Sequence, residues 1–505
     1  MTDLSKISAT AILKLIDTGT ITSRKVVEHF IEKIELVNPS LNAVVLKLFD
    51  EARKEADKAD DLFNQGKRMG RLHGLPFTIK ECLDLVGTPS TFGLLRRRQD
   101  FPLSTDIYVK ALQEEGAIVL GKTNVSQLLL IIESQNPVYG TTNNPHSKKH
   151  TAGGSSGGEG AIISAGGSPI GLGTDIGGSV RIPAAFNGIC SIKPTTERAI
   201  DQARFLERPL DLPIKSVTGI LANHAEDLQL FLDIINTASV EKTQPLKDFK
   251  EVDCSKLKVG YILSDHLFEP SNSIKRGVLE SVEKLKSLGI ETTLFEPPNM
   301  AEAEEIFTKI LSADKLPLFT ENLKNDKPSG LLRSYFLLLN SPAFVKKIIY
   351  HLSGLLGQST IRRTIRFFEG KGEENLKALT EKMDSFKNKY LSAMDNSPIG
   401  KLDAIISPIF PLPTILHNTA DRIGPGGAYS IQNNVMGFPA GIATISKVKE
   451  AEDIPRKSFD IVMRTAAKNE KASAGLPLSI QIFARHWEDH IVIALINQLH
   501  QRVFS

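Results

Sequence analysis

Twelve of the 37 glycines in this 505-residue chain fall between Gly153 and Gly188. The run reads GGSSGGEGAIISAGGSPIGLGTDIGGSVRIPAAFNG and has no triplet period, which excludes a collagen-like fibre. Glycine lets backbone approach other atoms closely and adopt positive φ, so the backbone of a segment this dense does something that side chains would obstruct. Three uses of such a backbone are open. It could cradle a phosphate, it could make tight turns and close packing, or it could aim several N–H groups at one point beside a serine, as an oxyanion hole does. A phosphate loop needs G-x4-G-K-[ST], and the single GKT, Gly121 to Thr123, follows AIVL instead of a glycine-rich loop. Ser155 and Ser179 each follow a glycine pair. A serine nucleophile needs a base, yet the run holds no histidine. Lysine serves if burial lowers its pKa from about 10.4. Lys80, in the apolar stretch HGLPFTIKECLDL, suits that requirement, although spacing alone does not single it out.

The remaining composition narrows the class. Lys and Arg total 61 against 58 Asp and Glu, a formal charge of +3, which gives no field for nucleic acid. Apolar residues at 41% are too many for a disordered chain. Three cysteines, Cys82, Cys190 and Cys254, are too few for a disulfide framework and lack metal-site spacing, so a reducing, intracellular setting is expected. Cys190 reads as a small buried hydrophobe. His486 and His490 lie four apart without a third ligand, and no metal or other cofactor is expected. The first thirty residues break every apolar run with charge, unlike a signal peptide or anchor, and no window reaches 18 uninterrupted apolar residues.

Periodicity predicts alternating helices and strands. One helix carries Leu4, Ile7, Ala11 and Leu15 on a face, and a second starts near Ser23 and stops before Pro39. A charged helix follows from about 50 to 64, then a strand bearing Lys80, then a helix–strand pair over 104–122. The pair recurs as KVGYI and a helix ended by Gly289, while 370–392 reads as a polar-faced helix. LDAIISPIFPLPT and FPAGIATI read as strands edged by prolines. This pattern predicts one α/β body with a sheet covered on both faces, spanning 1–505 as a single domain.

Three motifs in order resemble those of the amidase signature family of serine hydrolases, over nearly the whole chain. They are GLPFTIKE, GGSSGGEGA and GTDIGGSVRIPA. The resemblance implies a large mixed, twisted β-sheet with helices on both faces. It places a base at Lys80, a bridging serine held by a cis peptide bond at Ser155, and the nucleophile at Ser179. It further implies an oxyanion hole from the backbone of Ile176, Gly177, Gly178 and Ser179, shaped by Asp175 and Arg181. Two positions depart from the usual pattern: Glu81 stands where Asp is common, and Gln127 where Glu is common. The fatty acid amide hydrolase branch also carries Gln there.

The branch is further suggested by residues 327–368, which hold no Asp or Glu but have Arg333, Lys346, Lys347, Arg362, Arg363 and Arg366 among many Leu, Ile and Phe. Core helices with basic edges would account for this. So would a helical hairpin lying on an anionic membrane surface, turned at Gly354 and Gly357, with Lys346, Lys347, Arg362, Arg363 and Arg366 as the membrane contacts. Its placement resembles the membrane-binding cap of that branch, here 333–368. Leu130 and Trp487 fall where the branch lines its acyl channel, and either would also serve as core packing. The resemblance then implies a small amphipathic amide substrate, peripheral membrane association and a homodimer. The other readings are a short-chain or aromatic amidase, an amidotransferase-like subunit, and a catalytically silent membrane-binding scaffold.

Overall fold

In the computed structural model, residues 3–201, 212–241, 243–312, 323, 326–367, 376–453 and 456–503 are described. Their centre is an 11-stranded sheet. Across its width the strands run Val44–Lys47, Ile118–Thr123, Pro76–Lys80, Ile170–Asp175, Val217–Ala222, Cys190–Lys193, Ala440–Lys447, Pro477–Ala484, Ala404–Ser407, Lys258–Tyr261 and Glu291–Leu294. Pro76–Lys80 runs parallel to both neighbours, the middle pairs are antiparallel, and Lys258–Tyr261 is again parallel to both of its neighbours. The sheet is therefore mixed, as expected.

Successive strand side chains point to opposite faces. Every residue of Ile170–Asp175 and of Val217–Ala222 is buried, so the middle of the sheet is covered on both sides. Helices Gly157–Ser164, Arg181–Asn187, Ala225–Ala238 and Asp489–Leu499 pack on it. The strand Cys190–Lys193 from the first half pairs with Ala440–Lys447 from the last quarter, which joins distant parts of the chain in one sheet.

Some element boundaries differ from expectation. The first helix begins at Ala9, capped by the Ser8 side chain, and buries Ala9, Ile12 and Ile16 instead of the face predicted through Leu15. The next helix runs Ser23–Leu41 straight through Pro39 and ends on left-handed Asn42. Proline costs that last turn one hydrogen bond, which an otherwise buried amphipathic face tolerates. The helix expected over 370–392 is Leu376–Asp395, and 370–375 lies outside the described residues.

The span 327–368 forms three helices, Gly330–Asn340, Ala343–Leu355 and Ser359–Phe367, with residue 368 outside the described residues. The last two make a hairpin turned at Gly357, whose φ is +67°. Gly354 is not in the turn but inside its helix, where a Cβ would touch the Arg362 guanidinium. No helix among the described residues is long and apolar enough to cross a membrane.

Candidate active site

Lys80 ends the strand Pro76–Lys80, and the parallel register pairs Ile79 with Leu172 of the neighbouring strand. That register brings Lys80 beside Thr174 at the C-terminal ends of the two strands. The Lys80 Nζ lies 2.7 Å from Ser155 Oγ, 2.8 Å from Thr174 Oγ1 and 3.2 Å from the Thr174 carbonyl oxygen. Lys80 is fully buried, and burial lowers its pKa from the ordinary lysine value. Cys82 Sγ sits 3.9 Å from Thr174 Oγ1, and burial pushes its thiol up to about 12, so it adds no negative charge that would hold a proton on Lys80. Below, the buried Glu159 accepts from Thr78 and Thr123, and burial raises its carboxyl to about 8.

Ser155 follows a cis Gly154–Ser155 peptide bond and precedes helix Gly157–Ser164. A Cβ on Gly154 would lie 2.5 Å from the Ile131 carbonyl oxygen, so only glycine fits between the loop before it and the serine. Ser134 of that loop donates its hydroxyl to the Ser155 carbonyl at 3.2 Å and accepts from Gly157 N–H at 2.9 Å. Ser179 is half-buried in the turn between strand Ile170–Asp175 and helix Arg181–Asn187, and its carbonyl accepts the Ser156 N–H at 3.2 Å. The two glycine-flanked serines thus belong to one tied backbone unit, with Lys80 beneath Ser155.

The turn that carries Ser179 is held by a buried ion pair. Arg181 donates to Asp175 through Nε and Nη2 at 3.0 and 2.9 Å, and reaches Ser430 O, Asn434 Oδ1 and Gln481 Oε1 at 2.9, 2.7 and 2.6 Å. Burial alone would raise the Asp175 pKa, but the Arg181 charge and its hydrogen bonds win and hold the carboxyl well below the usual range. Asp175 also accepts the N–H groups of Gly178 and Val180, at 2.8 and 3.1 Å. This corrects the expected oxyanion set, because the Gly178 N–H is committed to Asp175. The N–H groups of Ile176, Gly177 and Ser179 have no acceptor among the described residues. Gly178 has φ +111°, and a Cβ there would meet Ser430, which is why this position is glycine.

The other sequence candidates divide. Leu130 is half-buried and joins Leu94, Leu128, Leu332 and Phe336 in an apolar cluster beside the loop that packs on Gly154. Trp487 lies with its ring under the Arg198 guanidinium at 4.8 Å and edge-on to His486, and Arg198 is itself paired with Asp489. No hydrogen bond or ring contact among the described residues brings Trp487 to Lys80, Ser155 or Ser179. Glu81 accepts from the N–H groups of Thr91 and Phe92 and from the Tyr139 hydroxyl, so it anchors the following loop. His486 and His490 turn to separate carboxylates, Glu197 and Glu488. Cys190 is buried, with Sγ 3.1 Å from the Ala222 carbonyl.

Among the cap candidates, Lys347 and Arg362 are exposed, Lys346 is half-buried, and Arg362 lies 4.6 Å over the Tyr350 ring. Arg363 is a correction. It donates to the Leu267 carbonyl at 2.9 Å and pairs with the buried Glu304 at 3.5 Å, so it anchors the hairpin to the body and does not face outward. The Arg366 side chain lies outside the described residues. Thr174 and Ser134 were missed because they matter only through register and loop packing. Neither position carries a composition signal.

The sheet thus carries a buried lysine–serine contact beneath a glycine-lined turn. The family model described as Amidase matches residues 25–493, and the chain belongs to that family, the amidase signature enzymes. Among relatives, Fatty-acid amide hydrolase 1 of Sus scrofa is 28% identical over 97% of this chain and 84% of its own. Fatty acid amide hydrolase 1 of Caenorhabditis elegans is 28% identical over 95% of this chain and 85% of its own. A solved fatty acid amide hydrolase superposes with a TM-score of 0.82 at 25% identity, covering 98% of this chain and 84% of that one.

Proposed function

We propose that the protein hydrolyses long-chain fatty acid amides, N-acylethanolamines or primary fatty amides, through a Ser179–Ser155–Lys80 relay at a membrane surface. The observation that carries the relay is the contact between Lys80 Nζ and Ser155 Oγ at 2.7 Å in full burial. A neutral amine has two N–H groups and one lone pair. Its two donors are matched by the Thr174 carbonyl and hydroxyl oxygens, which leaves the lone pair for the Ser155 hydroxyl proton. Ser155 in turn takes the Ser179 proton as Ser179 Oγ attacks the amide carbon. The developing oxyanion is met by the N–H groups of Ile176, Gly177 and Ser179. The proton returns through Ser155 to the leaving nitrogen as the C–N bond breaks, because an amine leaves only when protonated. Water then adds to the Ser179 ester and releases the acid.

The fatty-amide substrate is supported by the names of the full-length relatives and by the cap. Phe344, Ile348, Leu352 and Leu355 along helix Ala343–Leu355, and Leu356 just after it, are all more than half exposed, and Lys347 and, on the next helix, Arg362 are exposed as well. Apolar side chains entering an interface, with cations at its head groups, fit a peripheral membrane contact. The test compares oleamide with butyramide for the intact protein and for Ser179→Ala, with co-sedimentation on anionic vesicles alongside. Oleamide preference, vesicle binding and an activity loss of about 10⁴-fold or more in the variant are expected. Short-chain preference without vesicle binding would sink the substrate reading, and an active Ser179→Ala protein would sink the relay.

A further inference from the structure

Gln127 has no part in the relay, yet it is buried at 1% exposure and uses both ends of its amide on the same short segment. Its Nε2 donates to the Lys327 carbonyl at 3.1 Å, and its Oε1 accepts the Ser329 N–H at 2.6 Å. A carbonyl can only accept and an N–H can only donate, so the amide orientation is fixed. The two partners are the residues that lead into the first cap helix, Gly330–Asn340. A carboxylate here would turn an oxygen onto the Lys327 carbonyl, two buried acceptors facing each other. That gives a physical reason for glutamine instead of glutamate at 127.

What the clamp holds is the apolar wall beside the site. Immediately after it, Leu332 and Phe336 on the cap helix pack on Leu94, Leu128 and Leu130. Leu128 and Leu130 follow Gln127 in the loop that continues to Ile131, against Gly154, and to Ser134, on the Ser155 carbonyl. One loop therefore connects the cap base at its start to the bridging serine at its end. We propose that Gln127 is a specificity-determining positioning residue: by fixing residues 327–329 it sets Leu332 and Phe336 against Leu128 and Leu130, and so fixes how the cap sits over the loop that ends on Ser155, which a long-chain amide feels and a short-chain amide does not. The inference rests on the fatty-amide reading above.

Two variants break the clamp from opposite sides. Gln127→Glu removes the donor to Lys327. Ser329→Pro removes the N–H that Gln127 accepts, at a residue whose φ of −57° suits proline and whose side chain makes no capping bond. For each, the KM for oleamide should rise about tenfold while kcat/KM for butyramide stays within about twofold. The double variant should be no worse than about twofold beyond the weaker single one, because both break the same unit. Amide hydrogen exchange over 329–336 should quicken in Gln127→Glu. Equal losses on oleamide and butyramide, additive effects, or unchanged exchange would overturn the clamp. A wild-type protein that turns over oleamide no better than butyramide would instead overturn the fatty-amide reading, and with it the role of this wall in chain selection.

Discussion

Helix Arg181–Asn187 beside the site and helix Ala343–Leu355 in the cap are opposite solutions to the same problem of where to put polar and apolar groups. In the first, all seven residues are buried, and a guanidinium makes five hydrogen bonds to groups from three parts of the chain. In the second, the buried residue is Ser353, while Phe344 and Leu355 are 66% and 84% exposed. A buried charge is tolerable only when its donors and acceptors are met, so the turn that carries Ser179 is held in one arrangement. An apolar stripe left exposed among the described residues gains nothing from burial there, which is what the proposed membrane contact would supply. The protein is over-determined where it would do chemistry and under-determined where it would meet lipid.

The contrast can be broken most severely at Lys80. Lys80→Met keeps the volume and removes the proposed base, and kcat should fall by about 10⁴-fold with cooperative unfolding retained in urea. Recovery of more than a hundredth of the activity would show that the buried layer is not committed to its lysine. Next in size is Arg181→Met, which strands the Asp175 carboxylate and should cost about 3–5 kcal/mol by chemical denaturation, since removing one partner of a buried pair leaves an uncompensated charge. A loss under about 1 kcal/mol would mean the turn is held by its backbone alone.

The pH dependence sharpens the same point. The proposed relay needs neutral Lys80, and burial lowers its pKa, so kcat/KM should rise with pH and reach its plateau below the ordinary lysine value of 10.5. A limb centred at 10.5 or higher would place the amine in water. The smallest effect belongs to the cap: Ile348→Ser and Leu352→Ser should change stability by no more than about 0.5 kcal/mol, as surface substitutions do. The same pair should weaken binding to anionic vesicles about tenfold or more, because buried apolar side chains contribute about 1.5–3 kcal/mol each. A stability loss in the cap matching that of the turn would erase the distinction and make the stripe part of the core.

Much of this was legible beforehand because it is local. Strand and helix periodicity gave the α/β class, and Lys80, Ser155 and Ser179 stand inside short motifs. The first helix was misplaced by one face because Ser8 caps it, and a cap competes with the apolar pattern in fixing where a helix begins. Arg363 was misread because a run of cations looks alike in sequence whether it faces lipid or a buried Glu304.

By itself the sequence determined that bare backbone had to surround two serines, since only glycine permits such close approach and such φ values. The tertiary structure decided the rest. Strand register put Thr174 beside Lys80, packing brought Ser430, Asn434 and Gln481 to Arg181 from about 250 to 300 residues away, and one amide joined the cap to the catalytic loop. These contacts depend on distances through space between residues remote in the chain, and no local pattern of residue types encodes such distances.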